Sequence, residues 1–186
     1  MLTSASCAHK SVYGGYVLHD ASFDVIEPNL SGASVGLTGG ASADARLRGF
    51  VQLDVRSDGD AEVDLFDLSF GGLFYAPIEG PIRPALQLGL GVGRADVEGL
   101  QNSIDLLTAS IGARIEWQIT ESFGLYLIAG LRGYFDTTDP TTCNDGTTSP
   151  SVGQGTCSYH GGIAYYNDHI GDSIEPELGA GLSLHW

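Results

Sequence analysis

Cationic side chains are scarce in this chain, and their positions carry information. Of its eight Lys and Arg residues, five (Arg46, Arg48, Arg56, Arg114 and Arg132) share a parity with Gly, Ser, Thr and acidic residues, in segments whose opposite parity is apolar. Asp54, Asp67, Glu116, Glu175 and Glu177 fall on the same face. An isolated buried charge costs several kcal/mol, whereas nearly balanced charges of both signs can neutralise one another. The pattern therefore points to a network of ion pairs in a narrow polar interior that plugs it. The other reading of the same residues is a charged path for ions.

Three further groups could carry chemistry. Asp58, Asp60, Glu62 and Asp64 alternate in one short segment, and hard cations such as Ca²⁺ take clustered carboxylate oxygens. An EF-hand spacing is incomplete there, so a solvated acidic loop is the expected reading and a metal site the weak one. His160, His169, Ser158, Ser173 and Asp168 lie in or near one stretch, but no Gly-x-Ser-x-Gly or His-Glu-x-x-His motif organises them. His19 and His185 fit hydrogen-bonded interior histidines. Cys143 and Cys157 sit in one polar Gly/Thr/Ser-rich segment and are expected to form a disulfide if the protein is exported; Cys7 is then left over.

The elements that position these residues are strands. Residues 174–186 split into an apolar even set (Ile174, Pro176, Leu178, Ala180, Leu182, Leu184, Trp186) and an odd set that is polar or Gly, the period of two of a sheet. The same split holds over 104–119, 123–135, 84–92, 66–74, 46–56 and 33–38. Residues 12–19 alternate least cleanly. That makes eight strands, several longer than the roughly 5–6 residues of ordinary sheets and matching the 9–11 tilted residues that cross a bilayer. Connections at 39–44, 77–84 and 120–122 are short. Those at 20–29, 57–64, 96–102 and 136–173 are more acidic, and the last is long. Short turns on one side and longer loops on the other is the outer-membrane pattern, and it puts both chain ends on the short-turn side. Residues 159–169 could be a ninth strand; an even count favours loop, one that can extend as a hairpin above the membrane.

Composition agrees. No stretch approaches the roughly 20 apolar residues of a membrane helix. Charged residues are 17%, and the net charge is −15; this argues against nucleic acid, whose phosphates need clustered cations, and against a basic patch on anionic lipid. With one Lys in the chain, the polar face suits a tight lumen better than the Lys- and Glu-rich exterior of a soluble ligand-binding barrel of the calycin type. Inward glycines at 89, 91, 112, 124, 130, 179 and 181 could leave water-filled space. Phe66, Phe74, Trp117, Phe123, Phe135 and Trp186 near strand ends fit an interfacial girdle.

On this pattern the chain resembles the small OmpA/OmpX-type barrels of Gram-negative bacteria over residues 12–186. Its end, Gly181-Leu182-Ser183-Leu184-His185-Trp186, is similar to that family's assembly signal, in which Gly181, Leu184 and Trp186 are the matching positions and Trp replaces the usual Phe. The resemblance implies export, recognition by the barrel assembly machinery and residence among outer-membrane lipid, with both termini periplasmic. No basic and apolar leader precedes residue 11, so residues 1–11 are expected to be the segment left after signal removal and 12–186 a single all-β, eight-stranded antiparallel up-and-down barrel. The expected function is non-enzymatic and without cofactor: structural support or surface interaction through acidic loops, with a possible extracellular partner at 136–173. A narrow porin-like channel for small solutes or cations and a lipid A-modifying enzyme are the alternatives.

Overall fold

A computed structural model describes residues 9–23, 27–41, 45–60, 62–98, 100, 103–137, 141–149, 157–165 and 170–186. Seven long strands follow one another: β1 (His9–Asp20), β2 (Asn29–Gly40), β3 (Leu47–Asp58), β4 (Val63–Tyr75), β5 (Ile82–Val97), β6 (Ile104–Gln118) and β7 (Phe123–Asp136). Three short ones come next, β8 (Thr141–Cys143), β9 (Thr148–Ser149) and β10 (Ile163–Tyr165), before the last long strand, β11 (Ser173–His185). The eight long strands close into a barrel in the order β1-β11-β7-β6-β5-β4-β3-β2, each antiparallel to its neighbours. Closure leaves no strand edge unpaired, the condition for a sheet to sit in lipid.

Burial is inverted relative to a soluble protein. Arg48, Arg56, Arg114 and Arg132 are each 1% exposed, while Phe70, Val92 and Leu127 are about 60% exposed. Apolar residues normally fill the inside, so the polar parity lines the lumen and the apolar parity faces out, opposite to a calycin. The outward rings Phe74, Trp117 and Trp186 lie near the chain-end rim, and Phe66 and Phe135 nearer the other rim.

The strands run beyond the alternating segments. β1 spans 9–20 rather than 12–19, with Tyr13, Val17 and His19 buried in the lumen and Tyr16 and Leu18 exposed. Its alternation is blurred because the lumen accepts aromatic and aliphatic side chains as well as polar ones. The acidic segment 57–64 is half strand: 59–62 alone lies between β3 and β4. The connections at the chain-end rim are 41–46, 76–81 and 119–122, and those at the opposite, loop rim are 21–28, 59–62, 98–103 and 137–172. The length asymmetry therefore rests on the last connection. Of the stretch 159–169, residues 163–165 form β10, which joins a separate sheet of order β10-β8-β9 rather than the barrel; 166–169 lie outside the described residues.

Two glycines matter at the closing seam. Gly15 of β1 pairs with Gly181 of β11. A Cβ on Gly181 would meet the backbone of Gly14 and Gly15 and the Tyr126 ring, and one on Gly15 would meet the Tyr126 hydroxyl. The missing side chains make the slot in which Tyr126 lies.

Candidate functional site

The centre of the lumen is an ion-pair network built from four strands. Arg132 of β7 sends Nη1 to Asp67 Oδ2, Nε to Glu177 Oε2 and Nη2 to within 3.3 Å of Asp54 Oδ2. Arg56 of β3 places Nη2 2.7 Å from Glu177 Oε2 and 3.1 Å from Asp54 Oδ2, and Nη1 donates to the Tyr134 hydroxyl. Gln52 donates to Asp54 at 2.9 Å and accepts from the Tyr13 hydroxyl at 2.9 Å, while Thr108 donates to Asp67 at 2.7 Å. Alternation at period two puts all of these on one face, and closure brings β3, β4, β7 and β11 within side-chain reach across the lumen. An eight-stranded barrel is just narrow enough to be filled this way.

Towards the chain-end rim lies a second layer. Arg114 donates from Nε to Glu116 Oε1 at 2.9 Å, and its guanidinium sits 4.4 Å from the Tyr13 ring and 4.2 Å from the Tyr126 ring. Such cation–π contacts are worth roughly 0.5–2 kcal/mol each, more when desolvated. His185 lies 3.0 Å from the Ser183 hydroxyl through Nε2. On the loop-rim side of the ion-pair network, His19 is buried edge-on against Tyr134 at 5.1 Å, and neither of its ring nitrogens makes a hydrogen bond of normal geometry.

Apolar clusters close the network at both ends. At the loop rim, Leu30, Val63, Leu65, Ala95, Ile104 and Leu106 turn inward and pack with Ala21, Phe23 and Ile170 from the connections. At the chain-end rim Phe50, Leu73, Tyr75 and Ala85 form a smaller cluster.

Arg48, Asp54, Arg56, Asp67, Arg114, Glu116, Arg132 and Glu177 are buried in this lumen. Two residues depart from the expected set. Arg46 precedes β3 and is exposed at the chain-end rim, because the barrel wall ends at Leu47. Glu175 is in register with Arg132 but sits nearer the loop rim, half-buried, and forms no ion pair among the described residues. Tyr13, Gln52, Thr108 and Tyr134 belong to the network although none is charged; the available signal was the parity of Gln52 with Arg56, of Thr108 with Arg114 and of Tyr134 with Arg132, while Tyr13 stands on the strand that alternates least cleanly. The inward Val63, Leu65, Ile104 and Leu106 break the polar pattern of their face, so alternation alone did not reveal the caps.

At the loop rim Asp58 caps its own hairpin by accepting from the Asp60 amide at 2.8 Å, and ties it to the start of β2 by accepting from the Asn29 amide at 2.6 Å. Glu62, Asp64, Asp96 and Glu98 border a cleft of about 580 Å³ beside it. A hydrogen bond shared with Glu98, and that carboxylate's charge, hold the Glu62 carboxyl above the usual range. Among the described residues, no group of three His, Cys, Asp or Glu converges on a metal position.

The long connection carries its own small structure. Cys143 and Cys157 form a disulfide with Cα atoms 5.4 Å apart. Asn144 donates from Nδ2 to the Gly161 carbonyl at 2.7 Å and from its amide to the Gly162 carbonyl at 2.9 Å. Asp145 accepts from the amide and hydroxyl of Thr147 at 3.0 and 2.7 Å, and its Oδ2 lies 2.6 Å from His160 Nδ1. The Thr147 hydrogen bonds first, and His160 after them, hold the Asp145 carboxyl down at about 2. The stems are tied together: Asp136 Oδ2 accepts from the amides of Ile170 and Gly171 at 3.0 and 3.4 Å, and its own amide donates to Asp172 Oδ1 at 2.9 Å. Ser173 is buried at the barrel mouth, accepting from the Ser22 amide at 3.1 Å. Among the described residues no hydrogen bond joins His160 to Ser158 or Ser173, and Asp168, His169 and Cys7 lie outside those residues. Gly181 lies at the seam, and Leu184 and Trp186 are exposed on the outward face.

Residues 139–166, within this connection, match a family model described as "Domain of unknown function (DUF3761)". No curated protein matches the chain. Solved structures similar to it include Neisserial surface protein A (15% identity, TM-score 0.63, covering 94% of this chain and 96% of that one). The attachment invasion locus protein Ail of Yersinia pestis is 14% identical, with TM-score 0.53 and coverage of 96% and 99%. The N-terminal β-barrel domain of Pseudomonas aeruginosa OprF is 16% identical, with TM-score 0.52 and coverage of 97% and 98%. The fold is that of the small eight-stranded outer-membrane barrels.

Proposed function

We propose that this chain is an outer-membrane anchor that carries the 139–166 unit on the cell surface as a non-enzymatic interaction element. The observation that carries the reading is the combination of an apolar outer wall with a lumen blocked at three levels: loop-rim cluster, ion-pair network and chain-end cluster. A wall of exposed Leu, Val and Phe suits lipid, and a filled lumen leaves the loops as the part with work to do. The disulfide and the tied stems support the same view, since they tie the described parts of the longest loop together. The short connections and both strand ends of the chain would then face the periplasm, and exposed Leu184 and Trp186 would be available to the barrel assembly machinery.

The similar structures support the reading through their fold and, more distantly, their descriptions, which include a surface protein and an attachment invasion locus protein. A second structure of Ail is described in complex with sucrose octasulfate, a heparin analogue. A polyanion of that kind is a poor match here: the loop rim carries Asp58, Asp60, Asp64, Asp96, Asp105, Asp136 and Asp172 against the single cation Arg94, itself 2.8 Å from Asp105. The surface partner is neutral or cationic.

The test is an epitope inserted at Gly146, stained on intact cells, together with migration of the boiled and unboiled protein on a detergent gel. Surface staining and heat-modifiable migration are expected. Staining only after the outer membrane is opened would reverse the orientation, and a monodisperse protein in plain buffer would sink the membrane reading.

A further inference from the structure

The apolar outer wall is not equally tall all the way round. Along β7 the outward apolar series runs from Phe123 to Phe135, and along β11 from Ile174 past the strand end to Trp186. On β2 it runs only from Ala33 to Leu37; Asn29 and Ser31 stand between it and the loop rim, and Gly39 between it and the chain-end rim. At about 3.3 Å per residue and a tilt of about 40°, the band is about 30 Å tall on β7 and about 10 Å tall on β2. Barrels of this kind present a band of about 25 Å to lipid, so β2 falls well short. Its neighbours are intermediate. On β1 the series runs from Val12 to Leu18, with exposed Lys10 on its chain-end side, and on β3 from Leu47 to Val55, with exposed Ser57 on its loop side.

The rings of the interfacial girdle avoid the same face. Phe66 and Phe74 stand on β4, Trp117 on β6, Phe123 and Phe135 on β7, and Trp186 just beyond β11. The outward face of β1, β2 and β3 carries one ring, Tyr16, at mid-height. β5 lacks one too, but it lies between two strands that have them. Strand register lines up the short ends: Leu18, Ser31 and Ser57 share one row, and Lys10, Gly39 and Gly49 another. A shortened apolar patch without a girdle is thus confined to three contiguous strands of the closed barrel.

A wall shorter than the hydrocarbon around it is accommodated by thinning the bilayer, by extending flanking side chains, or by association that takes the short face out of lipid. Lys10 is long enough to extend at the chain-end side; Asn29, Ser31 and Ser57 at the loop side are not. We propose that the β1–β2–β3 face, because its apolar band is short, docks a second copy of this chain about a two-fold axis along the membrane normal beside β2. The inference rests on the membrane reading above. Two copies of like orientation bring like rows together, so Ser31 meets its counterpart and the short patches cover each other. β1 of one copy then faces β3 of the other, which lays Lys10 over the row of the second copy's Gly49 rather than against a second lysine. Three strands about 14 Å across and about 30 Å tall offer roughly 400 Å² of wall in projection from each copy. With side-chain relief the pair buries on the order of 1,000 Å², the low end of specific interfaces. That size suits a reversible pair rather than an obligate one.

The test uses the full chain with Cys7→Ser, reconstituted in dioleoylphosphatidylcholine vesicles and carrying either Val35→Cys on β2 or Ile111→Cys on β6, across the barrel. Both positions are about half exposed on the outer wall, and heat-modifiable migration checks the fold of each. On oxidation with copper phenanthroline, cross-linked dimer should form at least tenfold faster at position 35 than at position 111. That advantage should shrink several-fold in thinner dilauroylphosphatidylcholine vesicles, and also in dioleoyl vesicles when Ser31→Leu and Ser57→Leu lengthen the apolar band. Equal rates at the two positions overturn the proposal and leave the short face to locally thinned lipid. An advantage indifferent to both bilayer thickness and the lengthened band overturns it as well. A protein that stays monodisperse in plain buffer and does not enter vesicles removes the membrane reading itself, so the two failures are told apart.

Discussion

Glu177 of β11 and Arg132 of β7 meet fork to fork in the middle of the lumen: one carboxylate oxygen takes Nε, and the other lies 3.3 Å from Nη2. The same carboxylate also takes Arg56 from the far wall. One acid thus ties strands on opposite sides of the barrel. Removing a single partner from a buried pair costs about 3–5 kcal/mol, because the other charge is left without compensation. Arg132→Ala should lower barrel stability by about that amount, read as the urea midpoint of unfolding in detergent micelles. Arg132→Met combined with Asp67→Leu, which leaves Glu177 and Asp54 on Arg56, should recover much of the loss; equal midpoints for wild type and Arg132→Ala would remove the network from the account of stability.

The chain-end cluster predicts electrical silence. Wild-type protein should show no steady conductance in planar bilayers. Replacing Phe50 and Leu73 by Ala should open one seal and still leave the ion-pair layer and the loop-rim cluster in place, so current should appear only when Arg132, Leu65 and Leu106 are also truncated. Conductance in the unaltered protein would favour the channel reading.

Reduction should dissolve the loop structure and spare the barrel. A disulfide closing a loop of this size contributes about 3 kcal/mol in the chain-entropy account. Cys143→Ser should make residues 141–165 protease-sensitive while migration of the unboiled barrel is unchanged. Loss of the folded band would show that the barrel depends on its loop.

Asp145 sets an acid limit on that loop. Its carboxyl is held at about 2 by Thr147 first and His160 after. A carboxyl with a depressed folded value contributes stability that is fully present above its unfolded value, about 3.9, and lost as pH falls through the folded value. The Thr147 amide resonance should therefore hold its position down to about pH 4 and shift as the acid limit near 2 is approached. Asp145→Asn should show the shifted resonance at neutral pH; a midpoint at the ordinary carboxylate value would remove the clamp.

The closing seam gives a steric prediction. Gly181→Val would drive a side chain into the Gly14–Gly15 backbone and the Tyr126 ring. It should reduce the fraction of protein that acquires the fast-migrating folded form, whereas Leu182→Val, on the outward face, should not.

Most of the fold was legible in the sequence because a wall with lipid on one side and a packed polar lumen on the other enforces strict alternation. Leu86, Leu88, Leu90 and Val92 against Gln87, Gly89 and Gly91 is enough to place a strand and both its faces. The charged members of the network followed from the same parity. What escaped was whatever did not obey the two-sided rule. Val63, Leu65, Ile104 and Leu106 face inward and are apolar, since the mouth is sealed by packing rather than by charge. Arg46 has the inward parity but lies past the end of the wall. Arg83 stands one residue before the alternation of β5 becomes visible, so its place beside Tyr75 needed the closed barrel to be seen. Pairing across the lumen, as between Asp67 and Arg132, is set by strand tilt and curvature, which no single strand encodes.

The tied stems at Asp136 and Asp172 have a consequence for how such a molecule can change. The chain leaves the wall at β7 and returns at β11 through neighbouring points bound by the Asp136 carboxylate, so whatever is spliced between them leaves every strand register untouched. Lengthening, shortening or exchanging that cargo asks nothing of the eight barrel strands. Selection can then tailor the passenger while the carrier stays constant, and a laboratory can do the same.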